Sequence, residues 1–253
     1  MKNYIILPVL LLLYSKINSQ TCTRPFHIVI LGSSTAAGNG ATDKTKSWVY
    51  LYTQYVQGID SNYIVNDLAV AGTTTYDAQP NDYVPPLNRP HPLYGHNISA
   101  AIALHPDAII ICYASNDAAN NYSIKEQENN FRRITERAVN HHILVWVATP
   151  QPRNNFNALQ VKHQKVMYDW IMEHYGGNAI DFHTGLATEK DSIIEKYSAG
   201  DGIHVNNLGH KKIYNRVVKE SIPDSLCAVQ SFVPITENFM IKSKETLVAL
   251  IKR

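Results

Sequence analysis

Apolar and polar positions along this chain fall into blocks of two kinds. Short runs that are apolar at consecutive positions, many of them β-branched, occur at 26–31 (FHIVIL), 62–70 (NYIVNDLAV), 107–113 (DAIIICY), 143–149 (ILVWVAT) and 178–182 (NAIDF). Runs of this kind are expected of strands covered on both faces. Longer stretches with helical spacing lie between them. Residues 123–139 open with Ser123 and Glu126, the pattern of a capping box, and set Ile124, Phe131, Ile134 and Ala138 along roughly one side. Residues 157–177 place Leu159, Val166, Met167, Trp170 and Ile171 at helical intervals and end at a glycine pair. Strand–helix alternation predicts an α/β fold with a mainly parallel sheet of about five strands and right-handed crossovers.

The rhythm breaks at residues 77–96 (DAQPNDYVPPLNRPHPLYGH), too dense in proline for helix or sheet interior. An irregular insertion of that length is expected to act as a lid or binding loop. The pattern changes again after Cys227, so residues 228–253 are set apart as a C-terminal extension of unassigned role, and 20–227 are taken as one domain. At the other end, Lys2 precedes an apolar run from Tyr4 to Tyr14 and a polar stretch ending in Ser19. The run is too short to cross a bilayer. It has the layout of a secretory signal over residues 1–19, with a retained membrane anchor as the alternative. The mature protein is accordingly expected to be secreted, either extracellular or periplasmic.

Composition narrows the partners. With 45% hydrophobic and 17% charged residues, and a formal net charge of +2, the chain reads as a folded globular protein. No basic run carries interleaved aromatics, which argues against nucleic acid. Fifteen tyrosines against six phenylalanines fit amphipathic surfaces that stack on sugars, although tyrosines of this kind also serve plain packing. Export permits disulfides, and there are three cysteines. Cys112 lies inside an apolar run and reads as a buried thiol. Cys22 precedes the first strand, and Cys227 is expected to follow the last regular helix; strand starts and helix ends share one face of a doubly wound sheet, which makes Cys22–Cys227 the candidate bond.

Chemistry concentrates in four blocks. GSSTAAG puts Ser33 and Ser34 at the end of the first strand, NDLAVAGTTT leaves Gly72 past the second, YASND sets Asn116 past the third, and DGIHVNNLGH spaces Asp201 and His204 three apart before a helix that Asn206 or Asn207 would cap. Parallel strands deliver the first three blocks to one edge of the sheet, where ligands sit in open α/β folds. Acyl transfer needs such a set. A serine hydroxyl becomes nucleophilic when an imidazole takes its proton, a carboxylate fixes the imidazole, and N–H donors receive the oxyanion. His141, His142 and His210 read as structural. No paired His-x-x-x-His site with an adjacent acid and no Gly-x-Ser-x-Gly pentapeptide is present.

In this order and spacing the four blocks resemble those of the SGNH/GDSL hydrolase superfamily of esterases and lipases, over roughly residues 26–221. The resemblance implies a flavodoxin-like, three-layer α/β/α sandwich with a doubly wound parallel sheet, and neither metal nor cofactor. Position by position, it implies Ser34 as nucleophile with its own amide as an oxyanion donor. Gly72 and Asn116 are then the other donors, His204 the general base and Asp201 the acid that orients it. Two positions depart from the family pattern: Ser33 stands where aspartate is usual, and Ala114 where Gly-x-Asn-Asp begins with glycine. Neither supplies reaction chemistry, so loop adjustments are expected rather than lost activity, with Ser33 as a rival nucleophile.

The resulting expectation is a secreted serine esterase that releases acyl groups, acetyl above all, from a polysaccharide or small acylated substrate. Tyr83, Arg89 and Arg153 are its candidate substrate contacts. The alternatives are a lipolytic esterase or acyltransferase, and a carbohydrate-binding module without turnover.

Overall fold

Ile28, Val29, Ile30 and Leu31 are apolar in succession because both faces of their strand are covered. Ile28 and Ile30 pack into one core and Val29 and Leu31 into another, and all are fully buried. The same alternation recurs in the next two strands of the sheet. Ala108 and Ile110 face the first core and Ile109 and Ile111 the second; Trp146 and Ala148 face the first, Val145 and Val147 the second. In this computed structural model the described residues are Cys22, 24–113 and 115–232. The signal segment expected at 1–19, the variant position Ala114, and the extension beyond Phe232 lie outside them.

The strands are β1 (His27–Gly32), β2 (Ile64–Asp67), β3 (Ala108–Cys112), β4 (Leu144–Ala148) and β5 (Ala179–Ile180). All neighbours pair in parallel, in the order β2-β1-β3-β4-β5. This is the doubly wound, flavodoxin-like arrangement, and its strand order reverses between β1 and β3. Helices α1 (Trp48–Ile59), α6 (Asn207–Lys219) and α7 (Ile222–Phe232) cover one face through Trp48, Tyr52, Val56, Ile213, Val217 and Leu226. Helices α2 (Ile98–Ala103), α4 (Ile124–Asn140) and α5 (Ala158–Tyr175) cover the other through Ile98, Phe131, Ile134, Met167 and Ile171. The short helix α3 (Ser115–Ala119) follows β3 directly. Ser123 and Glu126 form the capping box of α4 that the sequence predicts.

Two expectations are corrected. The helix α7 runs through Cys227 to Phe232, so that cysteine sits inside the last helix rather than after it, and the boundary drawn at 227 cuts a helix. Pro223 does not prevent this, because it falls in the first turn, where a missing N–H has no helical partner to lose. The edge strands β2 and β5 are also shorter than their apolar runs, since each has a single neighbour to pair with.

At the end of the sheet where the strands begin, Cys22 and Cys227 are disulfide-bonded across 205 positions of sequence. Arg24 there pairs with Asp107, whose carboxylate also accepts from the His27 amide at 2.9 Å. Among the described cysteines Cys112 is the free one, and burial pushes its thiol pKa up.

Candidate active site

β1 ends at Gly32 and the chain folds at once into a tight turn. The Ala37 amide donates to Ser33 O at 3.0 Å and the Asn39 amide to Ser34 O at 2.9 Å. Ser33 is held inward: its amide donates to Cys112 O on β3 and the residue is 7% exposed. Ser34 is half-buried and open to solvent on one side. Of the adjacent serines, Ser34 is the more exposed.

The turn closes at Gly40, whose backbone has φ +91° and lies against the Asp201–His204 loop. A Cβ at Gly40 would fall 2.7 Å from His204 Cβ and 2.3 Å from Val205 O, so only glycine permits the approach. In that loop one oxygen of Asp201 accepts from the Ile203 and His204 amides at 2.9 and 2.8 Å, and the other meets His204 Nδ1 at 2.5 Å. Burial alone would raise the Asp201 pKa, but these bonds outweigh it and hold the carboxyl down to about 2. The pairing places the ring proton on Nδ1 and leaves Nε2 as the basic nitrogen. His204 Nε2 is buried and has no hydrogen-bond partner among the described residues. Asn206 caps α6, accepting from the Leu208 and Gly209 amides.

His210 on α6 is fully buried and joins this helix to the serine turn. The Trp48 amide donates to its Nδ1 at 3.3 Å and its Nε2 donates to Asn39 O at 3.0 Å. Burial lowers its pKa, which suits a neutral, structural imidazole. His141 and His142 are exposed on the opposite end of the molecule.

The donors expected from the second and third blocks share one network. Gly72 is exposed, with φ +86° and no atom within 4 Å of where a Cβ would stand, so its backbone faces open space. Asn116, in α3, donates through Nδ2 to Thr73 O at 2.9 Å. Its neighbour Asp117 is fully buried and accepts from the Thr75 amide and hydroxyl at 3.1 and 3.2 Å. Burial pushes the Asp117 carboxyl up to about 7 against the pull of those bonds. The Gly72 loop and α3 are thus tied at adjacent residues.

Residues not singled out from sequence complete the site. Gln151, after β4, accepts from Thr35 Oγ1 at 2.7 Å and donates to Ile203 O at 2.9 Å. It links the residue after Ser34 to the residue before His204. A small cavity of about 20 Å³ beside it, lined by Ser33, Thr35, Thr149 and Gln151 together with Tyr113 and Phe182, has room for a single water. Nothing local in the sequence marks Gln151 as special, because its partners come from two distant loops.

Of the expected substrate contacts, Arg153 lies in the site and is 6% exposed, donating to Asn116 Oδ1 at 3.1 Å. Burial lowers its pKa, and the nearby Asp201 charge opposes that shift. Arg89 and Tyr83 are engaged by groups outside the insertion. Arg89 Nε donates to Glu126 at 2.7 Å and its guanidinium stands 4.4 Å from the Tyr122 ring. Tyr83 stacks on Tyr76 with 6.3 Å between ring centroids, under the Arg133 guanidinium at 4.3 Å. No group of three or more His, Cys, Asp or Glu among the described residues is arranged to hold a metal ion.

Comparison with known proteins agrees with this fold. A GDSL-like lipase from Bacteroides thetaiotaomicron VPI-5482 has a similar fold, with a TM-score of 0.59 at 18% identity over 81% of this chain and 92% of that one. The psychrotrophic esterase EstA from a Pseudoalteromonas species, in a structure inhibited by monoethylphosphonate, superposes with a TM-score of 0.55 at 16% identity over 77% of this chain and 96% of that one. A two-domain esterase active on acetylated mannans gives 0.52 at 16% identity, over 85% of this chain and 54% of that one. No curated protein sequence matches. Residues 30–212, which include every residue of the four blocks, match the GDSL-like Lipase/Acylhydrolase family. The chain belongs to that family and is an ester hydrolase.

Proposed function

We propose that this protein is an exported serine esterase that removes acetyl groups from carbohydrate. Ser34 is the nucleophile, His204 the base and Asp201 its anchor; the oxyanion donors are the amides of Ser34 and Gly72 and the side-chain Nδ2 of Asn116. The observation that carries the reading is the Asp201–His204 pair, whose Nε2 is buried and has no partner among the described residues, in the loop that packs against the turn bearing Ser34. Ser34 Oγ attacks the ester carbon as its proton passes to His204 Nε2. The tetrahedral oxyanion is received by the N–H donors. Collapse expels the sugar hydroxyl, which takes the proton from His204, and leaves acetyl-Ser34. A water then repeats the sequence, releasing acetate and restoring the serine.

Carbohydrate is favoured by the likeness to the esterase active on acetylated mannans. Export is favoured by the leader-like start of the chain and by the Cys22–Cys227 bond, which belongs to oxidising compartments. A lipolytic role is the second reading, favoured by the GDSL-like lipase among the similar structures.

The deciding experiment measures acetate release from acetylated mannan, xylan and pectin, beside a series of activated esters from acetyl to octanoyl. Ser34→Ala should abolish turnover and fluorophosphonate labelling with the fold intact, whereas Ser33→Ala should do much less. Rates that climb toward octanoyl would favour the lipolytic reading. Near-normal turnover by Ser34→Ala would remove the nucleophile assignment.

A further inference from the structure

After β4 the chain reads Thr149-Pro150-Gln151-Pro152-Arg153. Proline at alternate positions fixes φ there and keeps the preceding residues out of helical backbone, so this is a stiff, extended segment. Gln151 and Arg153 are each 6% exposed, and both bond to groups of the candidate site. The Gln151 amide spans from Thr35 Oγ1 (2.7 Å) to Ile203 O (2.9 Å). Arg153 donates from Nη1 to Asn116 Oδ1 at 3.1 Å and from Nε to Asn155 Oδ1 at 3.2 Å, with the Phe156 ring 4.8 Å from the guanidinium. Just beyond, the Asn154 and Asn155 amides close on Gly202 O at 2.8 and 3.3 Å.

The direction of these bonds matters. A guanidinium has donors only, so Asn116 must turn its oxygen toward Arg153 and its nitrogen away. One Nδ2 hydrogen goes to Thr73 O, which leaves the other for an oxyanion. No carboxylate among the described residues forms an ion pair with Arg153. Its charge, cushioned by amide oxygens and a ring and offset only through space by Asp201, stands behind the donor that a developing negative charge would meet.

We propose that Pro150–Arg153 is a positioning strap: Gln151 sets the separation between the Ser34 turn and the His204 loop, and Arg153 locks the Asn116 amide in its donating orientation and reinforces it with charge. Both are positioning residues that act through the groups they hold. The inference rests on the esterase reading given above.

The test compares steady-state hydrolysis of a small acetyl ester, the rate of inactivation by a phosphonate, and thermal melting for Arg153→Met, Arg153→Lys, Gln151→Met, Thr35→Val and the Gln151/Thr35 double variant, with Ser34→Ala alongside. Arg153→Met should lower kcat and the inactivation rate together by about 10²-fold, the scale of a lost oxyanion donor, with KM within about twofold. Arg153→Lys, also a charged donor, should recover part of that loss. Gln151→Met should lower kcat by about tenfold or more, and adding Thr35→Val should change little further, because both substitutions break the same link. The strap is overturned if the losses appear in KM instead of kcat, if Arg153→Lys is as slow as Arg153→Met, or if the Gln151 and Thr35 effects simply add. Turnover by Ser34→Ala would instead overturn the underlying reading; an inactive Ser34→Ala beside full activity of Arg153→Met would overturn the strap alone.

Discussion

Gly40→Ala tests whether the closeness of the serine turn to the His204 loop is what makes the site work. The added Cβ would stand 2.3 Å from Val205 O and 2.7 Å from His204 Cβ, where ordinary contact begins near 3.4 Å. Relief requires the loop to withdraw by about 1 Å, since the obstructing atoms are backbone and a Cβ rather than the end of a flexible side chain. A displacement of that size at reacting groups costs on the order of 10²-fold in rate. The left-handed φ adds a stability loss of about 1–2 kcal/mol, which at this chain length lowers Tm by about 2–8 °C. Gly95→Ala separates the two effects, because Gly95 also has a left-handed φ (+81°) but nothing within 4 Å of its Cβ position. Both variants should melt lower, and Gly40→Ala alone should lose kcat for a small activated ester measured well below its Tm. If Gly40→Ala keeps kcat within about twofold of the parent, the contact does not set the catalytic geometry.

Other outcomes follow from the same contacts. Cys227→Ser opens a link across 205 positions; chain-entropy reasoning values such a link at up to about 5 kcal/mol, so Tm should fall by about 10–20 °C in a thermal scan, while kcat at 20–25 °C, roughly room temperature, should persist because the bond lies at the far end of the sheet. An unchanged Tm would show that the link adds nothing. Asp117 holds its proton more tightly folded (about 7) than its ordinary 3.8, so its contribution favours the folded state at low pH and is lost as pH rises between those values. Asp117→Asn should flatten that part of a denaturation series run against pH. Glu126 has the opposite sign: burial would raise it, but bonds from Arg89, Ser123 and Tyr76 bring it down to about 2, so its contribution is present above its ordinary 4.5 and is lost as pH falls toward 2. Glu126→Gln should remove that acid-side loss, and a parent and variant with parallel curves would refute it.

How much of this was legible depended on how local the cause was. Ile28–Leu31 and Ile109–Ile111 announced buried strands because enclosure on both faces shows in every residue of the run. Parallel strands then carried Ser34, Gly72 and Asn116 to one edge without further information. The ends of β2 and β5 were harder, since the number of neighbours a strand has is decided by the whole sheet. The helix through Cys227 was hidden by Pro223, which reads as a breaker unless its place in the first turn is known. The groups that engage Tyr83 and Arg89, namely Tyr76, Arg133 and Glu126, were not legible because they come from other parts of the fold. Gln151 was silent for the same reason. One amide joining Thr35 to Ile203 has no counterpart in any short stretch of sequence.

The Cys22–Cys227 staple has a consequence for presentation. It fastens the entry and the exit of the folded unit to one pole, beside Arg24 and Asp107, while the serine turn occupies the other pole. The chain enters the folded unit at Cys22 and ends its last helix a short way past Cys227, so both of these points stand at the pole away from the serine turn.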